Sequence, residues 1–111
     1  TVKKLFLICN AHIDPVWQWE WEEGAAETLS TFRTAARFCR EFDGFIFNHN
    51  EAILYRWVEE YEPALFRYIQ RLAAEGRWNI IGGYGTLKGQ AVKELEKIIG
   101  EHADRENMLI L

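Results

Sequence analysis

The chain reads as an α/β fold built of parallel β/α units, and three observations carry that reading. Its β-type apolar runs are continuous rather than alternating, the pattern of strands covered on both faces. Amphipathic stripes of helical period separate these runs. Each run then empties into a polar or glycine-rich cluster: NAHIDP after the first, NHN after the second, GGYG after the third. The resulting order, β-α-β-α-α-β-α-β, favours parallel strands joined by right-handed crossovers.

Taken in order, residues 5–8 (LFLI) form the first strand, buried on both faces. Residues 25–42 follow as a helix with Leu29, Phe32, Ala36 and Cys39 on one face and Arg33, Arg37 and Arg40 largely off it. Asp43-Gly44 breaks that helix, and 45–47 (FIF) is a short buried strand ending at Asn48-His49-Asn50. Asn50 is placed to cap a helix carrying Ile53, Leu54, Trp57, Val58 and Tyr61 on one stripe. Pro63 opens a further helix with Leu65, Phe66, Ile69 and Leu72 inward, and Gly76 stops it as a left-handed cap. A third strand spans 78–81, a helix spans 88–102, and 108–111 begins a fourth strand that is cut off. Four strands are too few to close a barrel of about eight.

Length and charge narrow the classes of function. At 111 residues the chain fits one small domain, and with 49% hydrophobic residues it can bury a moderate core. Net charge is −4 with no Lys/Arg block, so nucleic acid and anionic membrane surfaces are disfavoured as partners. No apolar run reaches the length of a membrane span, and the start lacks the features of a secretory signal, so a soluble, cytoplasmic protein is expected. Cys9 and Cys39 match no metal or redox spacing and are expected to be reduced core residues.

Chemistry in parallel sheets collects beyond the C-terminal ends of the strands. There, His12 and Asp14 are two residues apart in an extended segment, so both side chains fall on one side and can converge on one cation. Borderline zinc accepts imidazole nitrogen and carboxylate oxygen together. Alone the pair is a weak signal, because a His bonded to a carbonyl beside a loop-capping Asp looks the same. Pro15 restrains Asp14 to extended geometry, which suits a fixed ligand. Trp17 is the candidate for stacking on a sugar ring, whereas Trp19 and Trp21 are expected to be buried packing residues. Asn48, His49 and Glu51 form a second strand-end cluster, in which Glu51 is best explained by the helix macrodipole. His102 sits late in a helix and is assigned no chemistry, and the Gly82-Gly83-Tyr84-Gly85 stretch has neither dinucleotide nor P-loop spacing and reads as a tight turn.

Taken together, NAHIDPVWQWEWEEG, TLSTFRTAARFCREFDGFIFN and EAILYRWVEEYEPALFRYIQRLAAEGRWNIIGG resemble the N-terminal catalytic part of family-38 glycoside hydrolases, the retaining α-mannosidases. The likeness covers roughly the first three quarters of the chain. It implies a β/α barrel of the seven- or eight-stranded type, of which this chain holds an incomplete set of units. It also implies zinc or a similar divalent cation as cofactor, with His12 and Asp14 as two of its ligands and Trp17 against the bound sugar. The chain departs from the family pattern after Gly83. Residues 93–111 look more like the family's later helix and strand, as though a long internal piece were missing after about residue 85.

The reading that follows is a metal-dependent retaining glycosidase cleaving α-mannosidic bonds, with a carbohydrate as its partner and oligomeric state left open. Neither nucleophile nor general acid is identifiable, so the chain alone is expected to be inactive. Two alternatives stay open: a metal hydrolase of the polysaccharide-deacetylase type, and a non-catalytic carbohydrate-binding or structural fragment.

Overall fold

A computed structural model of the chain describes residues 3–5 and 7–80. The elements in order are helix α1 (Trp21–Glu41), strand β1 (Phe47–Asn48), helix α2 (Ala52–Tyr61), helix α3 (Pro63–Ala74) and strand β2 (Trp78–Asn79). Strands β1 and β2 pair in parallel, Phe47 with Trp78 and Asn48 with Asn79, and a parallel bridge joins Cys9 to Phe47. Three chain segments thus run side by side and meet at their C-terminal ends. The Gly82–Gly85 turn, the helix over 88–102 with His102, the strand over 108–111 and the last residue of the 78–81 strand lie outside the described residues.

Helix α1 begins four residues earlier than the periodicity suggests, because Glu22 and Glu23 in its first turn complement the positive end of the helix dipole. Its buried face holds Gly24, Ala25, Thr28, Phe32, Ala35, Ala36 and Cys39, a spacing of one helical stripe. The buried Thr28 hydroxyl is satisfied within the helix, donating to the Gly24 carbonyl oxygen at 2.7 Å. Helix α2 buries Ala52, Leu54, Tyr55, Trp57 and Val58, but Tyr61 at its last turn is exposed rather than inward. In α3, Pro63 occupies the first turn, where a missing N–H costs nothing, and Phe66, Ile69 and Leu72 face the core. Gly76 leaves that helix at φ +74°, the left-handed stop that glycine accepts without strain.

The core centres on Phe32, which has no exposed surface. Its ring lies 5.1 Å from those of His49 and Tyr55, 5.3 Å from Trp78 and 6.3 Å from Phe47, mostly edge to face. Helix α1 therefore packs its middle directly over the paired strands.

Further expectations fail here, among them the buried strand over 45–47, where Ile46 is 44% exposed and the pairing falls on Phe47–Asn48. Leu5, Leu7 and Ile8 are 83%, 85% and 70% exposed, and only Cys9 at the end of that segment pairs with a neighbour. A doubly covered strand needs layers on both faces, and among the described residues β1 is all that pairs with this segment. Cys9 is exposed for the same reason, while Cys39 is buried. Trp21 is 43% exposed because it opens α1 and meets the body on one side only, its ring 6.2 Å from that of Trp57. Asn50 does not cap α2; that position falls to Glu51, whose side chain makes no cap hydrogen bond and whose φ is +67°.

Candidate functional site

The strand ends are tied together by asparagines, one from each segment. Asn10 donates from Nδ2 to the Asn48 carbonyl at 2.7 Å, Asn48 donates from Nδ2 to the Cys9 carbonyl at 3.2 Å, and Asn79 donates from Nδ2 to Asn48 Oδ1 at 3.0 Å. Side-chain amides hold both donor and acceptor, so they can lock neighbouring strands where the backbone ladder stops. The rim on which the first loop stands is therefore fixed across all three segments.

From this rim the chain runs on through Ala11 to Asp14. Ala11 and Ile13 are half-buried and pack against the core, while the His12 side chain is exposed and Asp14, itself half-buried, keeps its carboxylate partly open to solvent. Alternation of this kind puts the imidazole and the carboxylate on one side. His12 Nε2 lies 2.9 Å from Asp14 Oδ1, with side chains 78% and 44% exposed. Such an open pair contributes little to stability. Trp17, in the bend that follows, is 67% exposed, whereas Trp19 is half-buried.

Helix α1 presses on this loop through a residue that sequence reasoning passed over. A methyl group built on Gly24 would run into the Pro15 carbonyl oxygen, a backbone atom that cannot swing away. Gly24→Ala is therefore expected to destabilise the protein by about 1–3 kcal/mol and to displace the loop carrying Asp14. Alanine gains about 1 kcal/mol of helix propensity over glycine, which the clash outweighs. Chemical denaturation checks this: an unchanged midpoint would show that the loop yields freely.

Behind the rim lies His49, wholly buried, with Nε2 2.6 Å from the Ala11 carbonyl oxygen and Nδ1 2.9 Å from that of Asn50. Tyr55 donates its hydroxyl to the His49 carbonyl at 2.8 Å and accepts from Trp78 Nε1 at 2.9 Å. Burial pushes the Tyr55 phenol well up, so the hydroxyl remains a donor. The sequence marks the Asn48-His49-Asn50 cluster as polar, but no local signal reveals that His49 reaches back to Ala11.

Residues 3–103 match the N-terminal domain of the family 38 glycosyl hydrolases. The chain belongs to this family. Alpha-mannosidase 2C1 of Homo sapiens is 30% identical over 74 residues, 67% of this chain and 7% of that protein. The Mus musculus protein of the same name is 28% identical over 74 residues, and alpha-mannosidase G of Dictyostelium discoideum is 25% identical over 80. The chain spans about 7% of the length of these family 38 relatives.

Whether the pair fits the cation that family 38 resemblance implies can be judged from its donors. An imidazole nitrogen and a carboxylate oxygen on one tetrahedral zinc, at bonds of about 2.0–2.1 Å, stand about 3.3 Å apart. The 2.9 Å contact of His12 with Asp14 need open by only a few tenths of an ångström to admit an ion. The two residues fit as part of a ligand set, and among the described residues no group of three or more His, Cys, Asp and Glu side chains stands ready to hold a metal. A separate groove of about 750 Å³, beside Leu7, Ile8, Phe42 and Ile46, touches neither His12 nor Asp14 and is the open flank of the first segment. No helix among the described residues is long and apolar enough to cross a membrane.

Proposed function

We propose that this chain is the metal-binding corner of a retaining glycoside hydrolase that acts on α-mannosides, built on a parallel β/α barrel. The observation that carries the reading is the convergence of His12 and Asp14 on one side of a loop at the parallel strand ends, in a chain of family 38. His12 and Asp14 hold zinc or a similar divalent cation together with ligands from elsewhere in the protein. Once bound, such an ion supplies a Lewis-acidic grip on substrate hydroxyls. The pair's exposure lets a sugar approach without prior rearrangement of the core.

Trp17 offers an exposed indole face to the C–H side of the ring, excluding water from that contact. Retention of configuration requires two carboxyl groups about 5–5.5 Å apart, which we place in parts of the protein outside this chain, so the chain by itself is inactive. The test is hydrolysis of an aryl α-mannoside by the full-length protein. Turnover that a chelator abolishes and zinc restores is expected, and turnover indifferent to chelation would overturn the metal role. Trp17→Ala should raise KM about tenfold, equivalent to about 1.4 kcal/mol, with the melting temperature unchanged. A drop in stability with KM intact would instead make Trp17 a packing residue.

A further inference from the structure

We propose that His49 is the positioning residue of the His12–Asp14 pair, acting through the Ala11 carbonyl. The inference rests on the reading that those two side chains hold a metal. An imidazole shut inside an apolar core is unfavourable unless its nitrogens find partners, and a phenylalanine or leucine would fill the same space without that demand. His49 Nδ1 could be satisfied locally, since the Asn50 carbonyl lies 2.9 Å away. Both partners are carbonyl oxygens, which only accept, so a single N–H serves one of them; we place it on Nε2, which lies 2.6 Å from the Ala11 oxygen 38 residues back along the chain, the shorter of the two contacts. Ala11 immediately precedes His12, so the bond fixes the peptide from which the candidate ligand hangs.

The ring itself has nowhere to move. Phe32 stands 5.1 Å away edge to face and Phe47 lies 5.8 Å away. The backbone N–H of His49 donates to the Asn79 carbonyl at 3.0 Å, and its carbonyl accepts from Tyr55, which is held in turn by Trp78. A chain of buried hydrogen bonds therefore runs from β2 through α2 and the end of β1 to the loop. Groups that orient a ligand without touching the metal typically change metal affinity 10–100-fold when removed.

The experiment uses cobalt(II) as probe on the purified full-length protein, read by its visible absorption bands and by titration, beside thermal melts. His49→Gln keeps a donor near the Nε2 position, whereas His49→Asn keeps one only near Nδ1. Both lose the aromatic ring and should lower the melting temperature alike. If His49 positions the pair, His49→Asn weakens cobalt binding about 10–100-fold and alters its bands, while His49→Gln restores most of the affinity. Equal cobalt affinity in the two variants, whether both weakened or both intact, makes His49 a structural residue only. His12→Ala separates the two layers of inference. If it leaves cobalt binding intact, the metal reading falls and this proposal with it; if it abolishes binding while His49→Asn does not, only the positioning role falls. Should neither His49 variant fold, the unsubstituted protein still decides: a scalar coupling across the hydrogen bond from His49 Nε2 to the Ala11 carbonyl carbon is expected in nuclear magnetic resonance, and its absence overturns the proposal.

Discussion

Phe32→Ala is expected to lower the unfolding free energy by about 3–5 kcal/mol, the range for truncating a fully buried phenylalanine. The side chain has no exposed surface and sits among the rings of Phe47, His49, Tyr55 and Trp78, which come from both strands and α2. No single neighbour can collapse into the gap without leaving its own partners, so the cavity term adds to the lost transfer energy. Domains of this size are typically stable by only about 5–15 kcal/mol, so the loss takes a large share of the margin and the denaturation midpoint should fall markedly. Phe42, 57% exposed, is the control, and its alanine variant should stay within about 0.5 kcal/mol of the parent. Urea denaturation that ranks the two variants equally would mean that Phe32 is not the centre of the core.

Joint replacement of His12 and Asp14 by alanine has the opposite signature. Metal content should fall to background and α-mannoside turnover by about a hundredfold or more, at least the upper end of what second-layer changes cause. Stability without metal should move by no more than about 0.5 kcal/mol, because both side chains are open to solvent and their mutual contact is weak. Elemental analysis together with melts in chelator reads both quantities. Full metal occupancy in the double variant would remove these residues from any ligand set.

The helices were legible in the letters because a buried stripe at helical spacing is a local property, as with Phe66, Ile69 and Leu72, and because Pro63 and Gly76 punctuate α3 chemically. The parallel pairing of the Phe47 and Trp78 segments followed from the order of elements. Burial of residues 5–8 did not follow, since an apolar run states only what a segment could bury and not whether neighbours arrive to cover it. The His12–Asp14 convergence was legible from the two-residue period of an extended chain, now seen as a 2.9 Å contact. What supports that loop was not legible. The bond from His49 to Ala11, the asparagine ties and the approach of Pro15 to Gly24 join residues distant in sequence, and pattern reading weighs neighbours along the chain.

The unequal burial of the two cysteines gives the molecule two chemical clocks. Cys9 is open to solvent, and a thiol reagent reaches it without any opening of the fold. Cys39 is buried among the residues of α1 that face the core, and burial pushes its thiol up, away from the reactive thiolate. Alkylation at Cys39 must then wait for α1 to lift from the strands, and when that opening is rapid its rate measures the free energy of the lifted state. One mass spectrum taken over time thus reads reagent potency from the first cysteine and conformational opening from the second, each the internal standard of the other.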